Sequence, residues 1–321
     1  MTVLAISSIS EGRRGRGARS PQCTLIGADD APVVVVLGGI SATRHVATSA
    51  DQAGWCPVAG DGRAIDTARF RVLGIDFLDG GRDTTGRPRR IVTTHDQAQW
   101  LMETLRSVGV DRVHTIVGSS YGGMVALAFG ERFGDLVDQL VIFSAAHESE
   151  PMTTALRTVQ RRIVELGLET GRAAEAMAIA RGLAMTTYRT ATEFAERFDN
   201  SPLSLSNNDA RFEVDEYLRD RGDRFAASVP PERFLALSLS ADLHRVDPRR
   251  ISVPTTLVAA EGDTVVPRAQ IETLAARLTG RTNLIDLPTR VGHDAFLVET
   301  DRVASIIAAA LTITEPSTPH L

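Results

Sequence analysis

The strongest hydrophobic signal in the chain is a continuous run, Val33-Val34-Val35-Val36-Leu37, introduced by Pro32 and ended by Gly38-Gly39. It is apolar at every position rather than at alternate ones, which predicts a strand covered on both faces, as in the middle of a parallel sheet. Arg71-Val72-Leu73-Gly74-Ile75-Asp76 predicts a second strand, closed by the turn residues Asp79-Gly80-Gly81. The period then changes. Ala98, Leu101, Met102, Leu105 and Val108 recur at helical spacing between Thr94 and Gly109, which predicts a helix with Thr94 as N-cap and Gly109 as stop. A strand over 112–117, a helix over 124–133 and a strand over 139–143 follow. Such alternation is the pattern of a parallel sheet with right-handed crossovers.

Between about 147 and 246 the alternation stops. Helical segments are predicted around 151–168, 172–187, 191–198, 209–221 and 231–241, with no convincing strand among them. Strands over 255–260 and 283–287, a helix over 268–279 and a last helix over 295–311 then resume the earlier pattern. The expected organisation is a flexible N-terminus (1–22, rich in Ser, Gly and Arg) and an α/β core split into 23–146 and 247–312. A helical lid domain (147–246) interrupts the core, and a tail (313–321) ends the chain.

Composition narrows the class. With 321 residues, 43% hydrophobic and 23% charged, the chain can bury a large core. A net charge of −5 argues against nucleic-acid or anionic-membrane partners, which call for a basic surface. No apolar run reaches the ~18 residues of a membrane span. The N-terminus is apolar first, with Arg13, Arg14, Arg16 and Arg19 afterwards, the reverse of a secretory signal. Two cysteines, Cys23 and Cys56, without a CxxC pair suggest neither a disulfide framework nor a zinc site. The expectation is a cytoplasmic protein without a metal.

The chemistry enters at Gly118-Ser119-Ser120-Tyr121-Gly122, a G-x-S-x-G set between a predicted strand and a predicted helix. In that context the small residues allow a sharp turn that exposes the Ser120 hydroxyl as a nucleophile, and the helix start offers N–H groups to an oxyanion. Ser119, at a variable position of the motif, is the weaker candidate. Tyr121 is the expected first oxyanion donor and Ile40, in the glycine-led loop 38–43, the second. A triad histidine belongs after the last strand, which selects His293 over His45, His95, His114, His147 and His244, read as surface or loop residues, and over His320 in the tail. The acid belongs in the loop after strand 255–260, where Asp263 is preferred and Glu261 is the alternative. The order Ser120, Asp263, His293 is that of an α/β-hydrolase, a mostly parallel sheet with, here, a helical lid insertion.

A triad names acyl chemistry and leaves the acceptor open. Separate stretches go further: Gly54-Trp55 and 62–70, 118–127, Met185-Thr186-Thr187-Tyr188-Arg189-Thr190, Glu193-Phe194, Arg197-Phe198, 212–218, 222–225, Asp242-Leu243-His244 and 292–297. In these the chain resembles the homoserine O-acyltransferase family, over roughly 33–300. The resemblance implies transfer of an acyl group from acyl-CoA, as co-substrate and with no cofactor, to L-homoserine in methionine biosynthesis, through an acyl-serine. It implies that Arg181, seven residues before Tyr188, binds the homoserine carboxylate, that Tyr188 belongs to the same substrate site, and that Asp294 holds the ammonium. Family members are often dimers through the lid helices, so a homodimer is expected.

The chain departs from the usual pattern at Gly38-Gly39-Ile40-Ser41, in a short region after Asp76 and in its total length. These departures resemble the shorter, succinyl-transferring members, so succinyl-CoA is preferred to acetyl-CoA as donor. A succinyl tail needs a cation, for which Arg44 and Arg82 are the candidates. Homoserine O-acetyltransferase, serine O-acyltransferase and carboxylesterase are the alternative activities, and a non-catalytic binding protein is the reading from another class.

Overall fold

The computed structural model describes residues 2–6, 22–49, 52–83 and 85–312. Its centre is an eight-stranded sheet of β1 (Thr2–Ile6), β2 (Cys23–Gly27), β3 (Val33–Leu37), β4 (Arg71–Ile75), β5 (Val113–Ser119), β6 (Val137–Phe143), β7 (Thr255–Ala260) and β8 (Thr282–Leu287). The spatial order is β1-β2-β4-β3-β5-β6-β7-β8. β1 and β2 run antiparallel to their neighbours, and every other pairing is parallel. The run at Val33–Leu37 is buried at all five positions, as a central strand with both faces covered must be.

One apolar cluster fills one face of the sheet through Val33, Val35, Leu37 and Leu73 with the helices α1 (Thr94–Ser107) and α2 (Tyr121–Phe133). A second fills the opposite face through Val34, Val36, Val72 and Val141. Between β6 and β7 come α3 (Pro151–Glu169), α4 (Ala173–Tyr188), α5 (Ala191–Arg197), α6 (Glu213–Ser228) and α7 (Pro231–Asp242). Val164, Met177, Ala180, Phe225, Phe234 and Leu235 give these helices a core of their own. α8 (Arg268–Arg277), α9 (Ala295–Val298) and α10 (Thr300–Thr312) complete the chain. None of the described helices is long and apolar enough to cross a membrane.

Several expectations need correction. Within the expected flexible N-terminus, Thr2–Ile6 is a strand paired antiparallel with Cys23–Gly27. The arginines 13, 14, 16 and 19, the tail 313–321 and His320 lie outside the described residues. The helix expected over 209–221 begins at Glu213, because Asp215 turns back to accept from the Phe212 N–H at 3.1 Å, and it runs to Ser228 before Pro230 ends it. The last helix is interrupted, with a tight turn at Gly292–Asp294 ahead of α9 and α10.

Thr93, not Thr94, caps α1: its hydroxyl accepts from the Asp96 N–H at 3.1 Å while Asp96 accepts from the Thr93 N–H at 2.8 Å. Thr94 instead lies 2.8 Å from Nδ1 of His244, which is buried rather than on the surface. His244 Nε2 must donate to the Ala146 carbonyl at 3.0 Å, so Nδ1 accepts from the Thr94 hydroxyl. Burial, the largest influence, pushes the His244 pKa down to about 3 and keeps the ring neutral. His147 is likewise buried.

The turn from β5 into α2 depends on missing side chains. A Cβ on Gly122 would sit 2.2 Å from the Leu37 carbonyl oxygen, a backbone atom that cannot swing away. Gly122→Ala therefore forces β3 and α2 apart. We expect a loss of about 1–3 kcal/mol in urea unfolding together with loss of activity. An unchanged midpoint would show that the two elements do not meet as described.

Candidate active site

Ser120 sits at the end of β5 with φ 51° and ψ −120°, a region sparsely populated by residues other than glycine. Its neighbours hold it there. The Ser120 N–H donates to the Phe143 carbonyl and the Gly122 N–H to the Gly38 carbonyl, each at 2.9 Å. The strained turn lifts Oγ out of the sheet to within 2.8 Å of His293 Nε2. Ser119, the competing serine, is buried and points toward the Leu37 carbonyl at 3.5 Å.

His293 Nδ1 lies 2.8 Å from Asp263 Oδ2. A carboxylate can only accept, so Nδ1 carries the proton and, in the neutral ring, Nε2 is left with the lone pair that faces the Ser120 hydroxyl. Asp263 is fixed in turn. Its other oxygen, Oδ1, accepts from the N–H groups of Val265 and Val266 at 2.9 Å each. Glu261, the alternative acid, is exposed. Burial is the largest influence on the His293 pKa and pushes it down. The charge of Asp263 and its hydrogen bond, helped by Asp294, outweigh this and leave it raised above 6.5.

Tyr121 is the first residue of α2, where a backbone N–H has no acceptor within the helix and is free for an oxyanion. Its phenol points into the core, 2.8 Å from Ser240 Oγ, and burial pushes its pKa up to about 12, so this hydroxyl is an anchor and not an acid. Ile40 lies opposite in the turn closed by the Ala42 N–H on the Gly39 carbonyl at 2.9 Å. Ser120, Tyr121, Ile40 and His293 share a cavity of about 260 Å³.

The helical insertion supplies the rest of the wall. Tyr188, at the end of α4, lies with its ring 5.4 Å from that of His293. Arg181, on α4, places its guanidinium 5.1 Å from the Tyr188 ring centre and 5.0 Å from that of Phe225. Among the described residues no carboxylate pairs with it, so a cation held between two aromatic faces is available to an anion in the cavity. Asp294 lines the same cavity, but it is already ion-paired with Arg189 at 3.2 Å. An incoming ammonium would share it.

Neither expected acyl-tail cation is there. Arg44 is 2.5 Å from Asp76 and donates to Gln22, and Arg82 is an exposed residue near Glu232; neither lines the cavity. The second cation of the wall is Arg157 of α3, which sequence reasoning missed along with Ser238. The available signal was the spacing of Arg157 and Arg161, four apart on one face of a predicted helix.

The chain is similar to known proteins in fold and in sequence. The model of the alpha/beta hydrolase fold family matches residues 32–300. The chain is 43% identical to a homoserine O-succinyltransferase of Xanthomonas campestris pv. campestris, over 90% of this chain and 78% of that protein. It is 30% identical to a serine O-succinyltransferase of Litchfieldella anticariensis, over 87% of this chain and 88% of that one. A crystal structure of a homoserine O-acetyltransferase from Bacillus anthracis superposes with a TM-score of 0.80 at 14% identity, covering 90% of this chain and 91% of the other, a likeness of fold alone.

Proposed function

We propose, for a chain that belongs to the homoserine O-acyltransferase family on the α/β-hydrolase fold, that it transfers an acyl group from acyl-CoA to the hydroxyl of L-homoserine, with succinyl-CoA preferred over acetyl-CoA. Ser120, relieved of its proton by His293, attacks the thioester carbonyl. The oxyanion is held by the N–H groups of Tyr121 and Ile40, and CoA leaves as the thiol with the proton from His293. The homoserine hydroxyl then gives its proton to His293 and attacks the acyl-Ser120 ester, and Ser120 is regenerated. Arg181 takes the homoserine carboxylate, which suits a guanidinium fork. Asp294 takes the ammonium, and Tyr188 sets the distance between Arg181 and His293. No cofactor is required; the product enters methionine biosynthesis in the cytoplasm, and the enzyme is a homodimer.

The observation that carries this reading is the unpaired Arg181 guanidinium in the wall of the cavity that contains Ser120. A plain ester hydrolase has no use for a fixed cation there. The 30% identity to a serine O-succinyltransferase favours L-serine as a second acceptor. Steady-state CoA release with acetyl-CoA and succinyl-CoA, each crossed with L-homoserine and L-serine, tests the reading. The fastest pair should be succinyl-CoA with L-homoserine, and Arg181→Gln should raise the homoserine KM by about 100-fold. CoA release that does not depend on acceptor would overturn it.

A further inference from the structure

Both oxyanion donors are tied to one helix of the insertion. Tyr121 reaches α7 through its phenol, 2.8 Å from Ser240 Oγ, and both residues are buried. Ile40 is reached through its loop. The Ala42 carbonyl accepts from Nη2 of Arg233, also on α7, at 2.8 Å, and the Phe77 carbonyl accepts from Nη1 at 3.3 Å. The Phe77 ring in turn meets the Tyr121 ring edge-on, with centres 5.0 Å apart. Arg233 and Ser240 lie about two turns apart along one side of α7. A single helix therefore braces two loops that leave different strands of the sheet, one after β3 and one after β5.

Arg233 bears on the direction of the Ile40 N–H. A peptide is planar and trans, so the Gly39 carbonyl and the Ile40 N–H point opposite ways, and turning one turns the other. The Ala42 N–H holds the Gly39 carbonyl at 2.9 Å. The peptide itself resists a flip little, since Gly39 has no side chain and a Cβ placed there would meet no atom within 4 Å. Flipped, it would turn a carbonyl oxygen toward the place where the oxyanion forms, and the hole would repel the charge it has to hold. The position of Ala42 thus decides which end of this peptide faces Ser120, and Arg233 holds Ala42 by its carbonyl. Burial is the largest influence on the Arg233 pKa and pulls it down, against the charges of Asp76 and Asp79, so a cation is desolvated where it fixes this loop. We propose that Arg233, through Ala42, keeps the Ile40 N–H aimed at the reacting carbonyl, and that Ser240 steadies the Tyr121 N–H, so that α7 sets the oxyanion hole. Neither side chain lines the cavity, which makes both positioning residues. This inference rests on the acyl-serine chemistry above and adds to it the helix that shapes the hole.

The test follows acylation of Ser120 by succinyl-CoA, acetyl-CoA and p-nitrophenyl acetate, then discharge to L-homoserine or to water, by rapid mixing. Wild type is compared with Arg233→Met, Arg233→Lys and Ser240→Ala. Each of these steps passes through a tetrahedral oxyanion in the same hole. Arg233→Met should therefore lower all the rate constants by a similar factor, about 30-fold, less than the loss of a donor outright. The homoserine KM should move little, because Arg181 and Asp294 are untouched. Arg233→Lys, which can still donate to the Ala42 carbonyl, should come within about threefold of wild type. If the Met variant does not fold, Ser240→Ala, which removes one hydroxyl, should lower the same rate constants by about fivefold. The amplitude of acylation counts the folded sites. A merely structural role would lower that amplitude and leave the rate constants of the reacting fraction unchanged, which overturns the inference. A fall confined to one step, or to the homoserine KM, overturns it as well. Wild type acylated by p-nitrophenyl acetate but by neither acyl-CoA overturns the transferase reading alone, and the ester rates then decide the inference. Wild type acylated by no donor overturns both.

Discussion

Ser120→Ala is expected to lower kcat for acyl transfer to L-homoserine by at least about 10⁴-fold while leaving the fold intact, because no other group can take the acyl chain. The nearest hydroxyl in sequence, Ser119, is buried and turned toward the Leu37 carbonyl, out of reach of His293. The variant loses one hydrogen bond, to His293, and keeps the backbone bonds from Ser120 to Phe143 and from Gly122 to Gly38 that hold the turn. Thermal unfolding of the two proteins should therefore agree within a few degrees. Retention of a tenth or more of the wild-type rate would mean that the nucleophile lies elsewhere.

Asp263→Asn is expected to cost nearly as much, for a reason that the hydrogen-bond directions fix. Oδ1 of Asp263 accepts from two backbone N–H groups, Val265 and Val266. An asparagine in this place turns its carbonyl oxygen to them and presents its NH₂ group to His293 Nδ1. The ring must then accept at Nδ1 and carry its proton on Nε2, the atom that should take the proton of Ser120. A wrong tautomer of this kind costs about 10⁴-fold in kcat.

The same variant moves the pH profile. The base is the neutral ring, so activity rises with pH through the His293 pKa, which Asp263 and Asp294 hold above 6.5 against the downward push of burial. Without the Asp263 charge, burial dominates and the acid limb of kcat/KM shifts to lower pH. A limb that stays in place would show that Asp263 does not act on His293.

How far the sequence anticipated the molecule can be traced residue by residue. The central strand at Val33–Leu37 and the turn at Gly118–Gly122 were legible because a doubly covered strand and a strand-to-helix elbow each demand local composition that little else produces. Asp263 and His293 were legible only through order along the chain, since each follows a strand of a sheet already inferred. β2 was missed because Cys23–Gly27 is five residues long and is preceded by a Ser-, Gly- and Arg-rich stretch that masks its apolar character. The His244 bond to Thr94 could not be seen, because it joins residues 150 apart and neither position is unusual in its own neighbourhood. Arg157 was obscured in the same way. Its meaning depends on Asp242, which meets it only after two helices of the insertion have packed, and on the cavity that both sheet and insertion enclose. Arg44 and Arg82 were named only because a succinyl tail needs a cation, and neither is at the cavity: Arg44 pairs with Asp76 and Arg82 is exposed near Glu232.

The central claim is that Ser120 carries an acyl group from CoA to an amino-acid hydroxyl. It is tested most directly by intact-protein mass spectrometry after mixing the enzyme with succinyl-CoA alone and then with L-homoserine. The account predicts a gain of one succinyl group, mapped to the peptide containing Ser120, that is discharged within seconds of adding L-homoserine and far more slowly in buffer. No adduct on wild type, an adduct that survives in Ser120→Ala, or an adduct that buffer removes as fast as L-homoserine does would contradict it.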